Sequence, residues 1–141
     1  MFEKTSDVNR RLQQWRDLRH NATSEVEVLD ALSQVKIRAR YLDYWTPNSW
    51  PKAFDIVENG YFCATGIAIV LYQTLGHLKY LNPSDTTWKV ISNHVTGNDG
   101  AVFIHAGKVY NLTPGQTNSV DELRALSITL KDFKNLYIPL I

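Results

Sequence analysis

Cys63 is the only cysteine in the chain, and the residues around it have the clearest chemical potential in the sequence. Gly60 stands three residues before it, and an apolar run from Ala64 to Leu75 follows it. This pattern places a thiol where a helix begins. Unpaired backbone N–H groups and the positive end of the helix dipole favour thiolate there, and thiolate is the nucleophile of acyl transfer. On position alone, a lone cysteine is more commonly a small buried hydrophobe.

A nucleophile of this kind needs a base and a group to orient it. His94, on a predicted strand, is the preferred base: it can take the Cys63 proton and later hand one to a leaving amine. His105 is the competing candidate, whereas His20 and His77 read as surface residues. Asn111 is the choice for orienting the imidazole through its side-chain carbonyl. Thr113 lies two residues on, on the same side of its strand, and Asp99 lies in a Gly-flanked turn; these are the alternatives. No Asp or Glu completes a metal site with His94 and His105. No phosphate loop or dinucleotide fingerprint is present, so neither metal nor cofactor is expected.

The elements that must position these groups follow from periodicity and stop signals. Val8, Leu12, Trp15 and Leu18 predict a helix over 6–20, capped by Ser6 or Asp7. Its arginines, Arg10, Arg11, Arg16 and Arg19, are expected on a solvated face. Ser24 and Glu27 have capping-box spacing for a helix over 25–37. Tyr41, Tyr44, Trp45 and Trp50 crowd around Pro47 and Pro51, as a loop packed on the core or as the wall of a groove. Pro51 fits the first turn of a third helix, with Phe54 and Val57 inward and Asn59-Gly60 as its stop.

The segment from Cys63 to Leu75 is apolar nearly all round, which predicts a central buried helix ended by Gly76. The period then shortens to two. Strands are expected over 88–95, 101–105 and 108–112, the last pair joined by the Ala106-Gly107 turn. Ser119 and Glu122 start a short helix, and a final strand spans 136–140. The whole predicts one α+β domain over 1–141, helical over 1–58, with the cysteine helix and a mostly antiparallel sheet over 59–141.

Bulk composition excludes several function classes. The 141 residues are 44% hydrophobic and 21% charged, ordinary globular usage that argues against disorder. With 15 Lys and Arg against 14 Asp and Glu, nothing calls for nucleic acid or a membrane surface. The longest apolar stretch, Ile67 to Leu71, is too short to span a bilayer. The polar N-terminus lacks a signal-peptide core, so a cytoplasmic location is expected.

Gly60-x-x-Cys63 opening an apolar helix, then His94, then Gly107-Lys108-Val109-Tyr110-Asn111-Leu112-Thr113-Pro114, resembles the transglutaminase-like branch of the papain-like cysteine-enzyme superfamily. The resemblance covers about residues 59–114. It implies a papain-like core in which the cysteine caps a buried helix, with a histidine and a carboxylate on adjacent antiparallel strands. Where the family has aspartate this chain has Thr113, and papain-type members use asparagine, which suits Asn111. The stretch between His94 and Gly107 is long for the family, and the papain-type glutamine before the cysteine is absent. Oxyanion donors would then be the Cys63 N–H with Asn59 or the indole of Trp45 or Trp50.

The function these features imply is acyl transfer at a protein or peptide amide. It would be a peptidase, amidase, deamidase or transglutaminase-like activity, run by Cys63, His94 and Asn111. The rival is a non-catalytic protein-interaction module on the same fold.

Overall fold

The computed structural model describes residues 7–38, 42–134 and 136–140. Ser6 and Tyr41, named above, lie outside them. Helix α1 (Val8–Asn21) is capped by Asp7, whose carboxylate accepts from the Asn9 N–H. Helix α2 (Glu25–Ser33) starts at Ser24, whose hydroxyl accepts from Glu27 N–H at 3.3 Å. The Glu27 carboxylate turns instead to the N–H and hydroxyl of Thr23, which hold it below the usual carboxylate range. α2 ends four residues before the expected stop, where the Ser33 hydroxyl binds the Asp30 carbonyl and competes with the helical pattern.

A short 3₁₀ turn (Pro47–Ser49) leads to α3 (Ala53–Asn59), so Pro51 precedes the helix rather than opening it. Phe54, expected inward, is 47% exposed, whereas Val57 is fully buried. α4 (Ala64–His77) is the central element. Every residue from Thr65 to Gly76 is buried, with α1, α2, α3 and the sheet packed around it. Gly76 does not stop α4. It leaves room for Leu140, whose methyls a Cβ added there would strike.

A second 3₁₀ turn (Pro83–Asp85) opens the sheet: β1 (Thr86–Asn93), β2 (Asp99–His105), β3 (Lys108–Thr113), β4 (Gln116–Asn118) and, after α5 (Val120–Leu126), β5 (Ser127–Phe133). The spatial order is β4-β3-β2-β1-β5, and every pair is antiparallel. Ala106 and Gly107 take φ of 51° and 76°, the left-handed pair that a two-residue hairpin requires.

The sheet's two faces bury two clusters. Trp88, Phe103 and Tyr110 join Tyr72 of α4 in a ring stack, with Trp88–Phe103 centroids 5.0 Å apart and Phe103–Tyr110 4.9 Å. Ile91, Val102, Val109 and Leu112 face Leu123 of α5. Burial, reinforced by a hydrogen bond to Glu25, pushes the Tyr110 phenol up.

α5 carries a reciprocal capping box: Glu122 N–H donates to the Ser119 hydroxyl at 3.1 Å, and Ser119 N–H donates to the Glu122 carboxylate at 2.9 Å. Ser119→Ala is expected to cost about 1 kcal/mol. In urea it should lower the unfolding midpoint without changing the slope; an unchanged midpoint would show that the cap is dispensable.

Candidate functional site

The approach to Cys63 is built by α1. Arg11, expected on a solvated face, is 6% exposed. Its Nε donates to Val57 O at 3.1 Å and its Nη2 to Glu58 O at 2.6 Å, so a cation sits on the last carbonyls of α3. The chain then turns over the guanidinium at Gly60, where φ is 74° and an added Cβ would stand 2.9 Å from Arg11 Cζ. Only glycine satisfies both demands. Cys63 follows as the N-cap of α4 with extended backbone and no side-chain cap bond. The residue is 1% exposed and belongs to the main core cluster.

Two strands fasten the start of α4. Thr65 Oγ1 accepts from Ala101 N–H at 3.2 Å. Asn111, on β3 at φ 73°, donates its side-chain amide to Ala64 O at 2.9 Å and to Ala101 O at 3.0 Å. Two carbonyl partners fix which end of that amide is nitrogen. The left-handed backbone, which asparagine tolerates better than most residues, also breaks the strand's alternation. Tyr110 faces the main core, yet Leu112 joins the cluster under α5.

Gly100 completes the contact. A Cβ there would lie 2.9 Å from Ala64 Cβ, 3.3 Å from Thr65 Oγ1 and 3.4 Å from Thr65 N. β2 therefore rests on the helix start with no side-chain layer between them. Beside this contact a cleft of about 290 Å³ is lined by Ile37, Arg38, Ala64, Gly97, Asn98 and Asp99.

The fold brings Asn111 and Asp99 to the same end of the sheet as the start of α4. Asp99 receives the Tyr44 hydroxyl at 3.4 Å, and Thr113 ends β3 opposite Gln116. β1 stops at Asn93, whose Oδ1 accepts from Val95 N–H and Thr96 N–H in an Asx turn. This leaves His94 just past the strand and exposed, with its backbone N–H on Leu126 O at 2.9 Å.

His105 ends β2, five residues and about 16 Å from Gly100, where its Nε2 accepts from Asn82 N–H. His20 and His77 pair their rings at 5.8 Å, His77 in the last turn of α4. No hydrogen bond among the described residues joins Cys63 to any of the four histidines. Asn59 is exposed at the end of α3, and Trp45 is 43% exposed. The Trp50 indole donates to Asp43 O at 2.9 Å and packs on Trp88 and Phe133.

Thr65 and Gly100 were not singled out by sequence pattern. β2 starts at Asp99, two residues before the expected strand, and it is this extension that puts Gly100 inside the sheet rather than in a turn.

No family model matches the sequence, and no curated protein matches it. Solved structures do. A calcium-bound LapG of Legionella pneumophila superposes at TM-score 0.70 and 11% identity, covering 93% of this chain and 78% of LapG. An EGTA-treated LapG gives TM-score 0.70 and 12% identity over 92% and 75% of the two chains. The chain has the LapG fold. At this identity the likeness concerns architecture. The α+β layout implied by the transglutaminase-like resemblance, with a cysteine opening a buried helix against antiparallel strands, is thus observed.

Proposed function

We propose that this chain is a non-catalytic protein-binding module on the transglutaminase-like fold. The observation that carries the reading is the packing of Gly100 on Ala64 and Thr65 beside a 1%-exposed Cys63. Acyl transfer needs a base within hydrogen-bond reach of the thiol. Here the strand that crosses the helix start brings a glycine, Gly100, against Ala64 and Thr65. One LapG structure is calcium-bound, but among the described residues of this chain no three His, Cys, Asp or Glu side chains converge as ligands.

The binding surface that suits this reading is β5. It pairs with β1 along one edge and stands last in the sheet. Its register skips Leu130, a bulge that re-aims that side chain. Ile128 at 58% exposure and Leu130 at 40% stand on this edge, with Trp45 tied to it by Lys131 Nζ on the Trp45 carbonyl. An edge strand with outward apolar side chains is a template for an extended segment of another protein.

A second reading keeps the enzyme. Cys63 does open a buried helix in a fold shared with LapG, and acyl transfer would follow if that thiol were reactive, with His94 reaching it through a rearranged turn. Iodoacetamide labelling followed by intact mass, from pH 4 to 9, separates the two. A binding module is expected to show negligible labelling when folded and complete labelling in denaturant. Fast labelling of the folded chain, with an apparent pKa below about 8.5, would overturn the proposal in favour of the enzyme.

A further inference from the structure

The segment 136–140 is a strap laid along α4, and it is held there the way a groove holds a peptide. Leu136 and Ile138 pack against the main core cluster, whereas Tyr137 between them is 60% exposed. Leu140 enters the notch that Gly76 leaves in the helix. No backbone–backbone hydrogen bond joins 136–140 to the other described residues. Its carbonyls are taken by helix side chains: the Tyr72 hydroxyl donates to Ile138 O at 2.6 Å and the Gln73 amide to Pro139 O at 2.9 Å. Aromatic walls with pockets for chosen side chains are how grooves read extended, proline-containing segments.

The strap underfills this groove. A cavity of about 200 Å³ lies beside it, walled by Trp50, Pro51, Ile69, Leu136 and Ile138. An apolar cavity of about 150 Å³ is enough to take a benzene ring, so the space matches a phenyl group where the strap has isoleucine. The strap is also thinly covered, with Tyr137, Pro139 and Leu140 exposed, while Tyr72 and Gln73 beneath it are buried. The donors and the notch thus belong to the buried helix, and the occupant is the loosely held part.

We propose that the α4 groove from Ile69 to Gly76 binds an extended segment of a partner protein with an aromatic residue, proline and leucine in succession, and that 136–140 is the resident occupant it displaces. The aromatic ring fills the cavity beside Trp50, the carbonyls of the aromatic residue and the proline accept from Tyr72 and Gln73, and the leucine enters the Gly76 notch. Because the strap is part of the same chain, it competes at an effective concentration on the order of 1 mM, a threshold that only a better-fitting segment passes. The groove uses neither Cys63 nor Ile128 and Leu130 of β5, so its failure leaves the readings of those residues standing.

The test is fluorescence anisotropy of a labelled, capped peptide, Leu-Tyr-Phe-Pro-Leu, with the full chain carrying Leu140→Asp, which weakens the strap and leaves the groove intact. Saturable binding is expected with a Kd below about 100 µM. It should be at least about tenfold tighter than binding to the parent chain, and at least about tenfold tighter than binding of the capped Leu-Tyr-Ile-Pro-Leu peptide. Gly76→Ala, added to that variant, favours the helix but closes the notch, and should weaken the phenylalanine peptide at least about tenfold. On the parent chain, excess unlabelled phenylalanine peptide should move the NMR amide signals of 136–140 to random-coil positions. No saturable binding together with unmoved strap signals, equal affinity for the two peptides, or unchanged affinity after Gly76→Ala would each overturn the proposal. Concentration-dependent dimerisation without peptide binding would assign the groove to the strap of a second copy and overturn it as well.

Discussion

Replacing Asn111 by aspartate is expected to cost about 3 kcal/mol at neutral pH and to lower the melting temperature by about 10 °C. The amide of Asn111 donates to Ala64 O and Ala101 O, so one side chain ties the start of α4 to both β2 and β3. A carboxylate of the same size has no hydrogen to give. It would leave two carbonyls without their donor and add charge beside their negative ends, in a site that is only part exposed.

The sign of the pH dependence follows from this geometry. Protonation restores one donor, so the folded pKa of the introduced acid is raised above its unfolded value of about 3.9. An acid whose folded pKa is raised destabilises progressively as pH climbs from the unfolded value through the folded one. The deficit of Asn111→Asp against the parent chain should therefore be largest at pH 7 and shrink towards pH 4, read from paired thermal melts. The opposite result would be informative. A variant as stable as its parent at pH 7 would mean that the pocket accepts a carboxylate at position 111, where it could orient an imidazole, and the catalytic reading would gain ground.

Legibility from sequence tracked how local the determining interactions were. α1, α3 and α5 were legible because caps and stops sit in their own sequence: Asp7, Gly60 and the Ser119–Glu122 box. The central helix was legible because no polar residue with full charge interrupts Ala64–Leu75. The ends of the sheet were not. Ser127–Lys131 alternates polar and apolar residues, but β5 exposes all but its terminal residues, so that alternation marks no buried face. β4 is three polar residues held by pairing to β3.

The segment 136–140 looked like a strand but pairs with none among the described residues. Its carbonyls are taken by side chains of α4, Tyr72 on Ile138 O at 2.6 Å and Gln73 on Pro139 O at 2.9 Å. Its apolar residues cover the helix instead.

The candidate site was legible in one half. Cys63 as the start of a buried helix follows from a local glycine and a local apolar run. What stands opposite it depends on where β1 ends, and that is decided by Asn93. The Asn93 side chain closes the turn on one side and donates to Leu112 O at 2.9 Å on the other. This anchor puts His94 outside the strand, which two-residue periodicity alone could not indicate. The close approach of Gly100 to Ala64 is likewise a property of the packed structure, because the sequence alone reads Gly100 as part of the turn before β2.

The other large effect is expected at Arg11, and it concerns how the Cys63 turn is held. Arg11→Met keeps much of the side chain's volume but removes two charge-assisted bonds to the last carbonyls of α3, leaving Val57 O and Glu58 O short of donors beneath Gly60. Each such bond is worth about 1.5–3 kcal/mol, so a loss of about 3–4 kcal/mol is expected in urea unfolding. Arg11→Lys should recover part of it, because an ammonium supplies the charge but not the planar fork that reaches two carbonyls at once.

A second readout separates local from global effects. The turn from Gly60 to Cys63 rests on this guanidinium, so its loss should raise native-state labelling of Cys63 by more than global unfolding accounts for, through opening of that segment alone. Stability within about 0.5 kcal/mol of the parent would refute the clamp. A lowered stability with labelling that merely tracks it would confine Arg11 to general packing. The expected pattern, a loosened turn on an otherwise folded chain, would show that α1 governs access to the only thiol from the far side of α3.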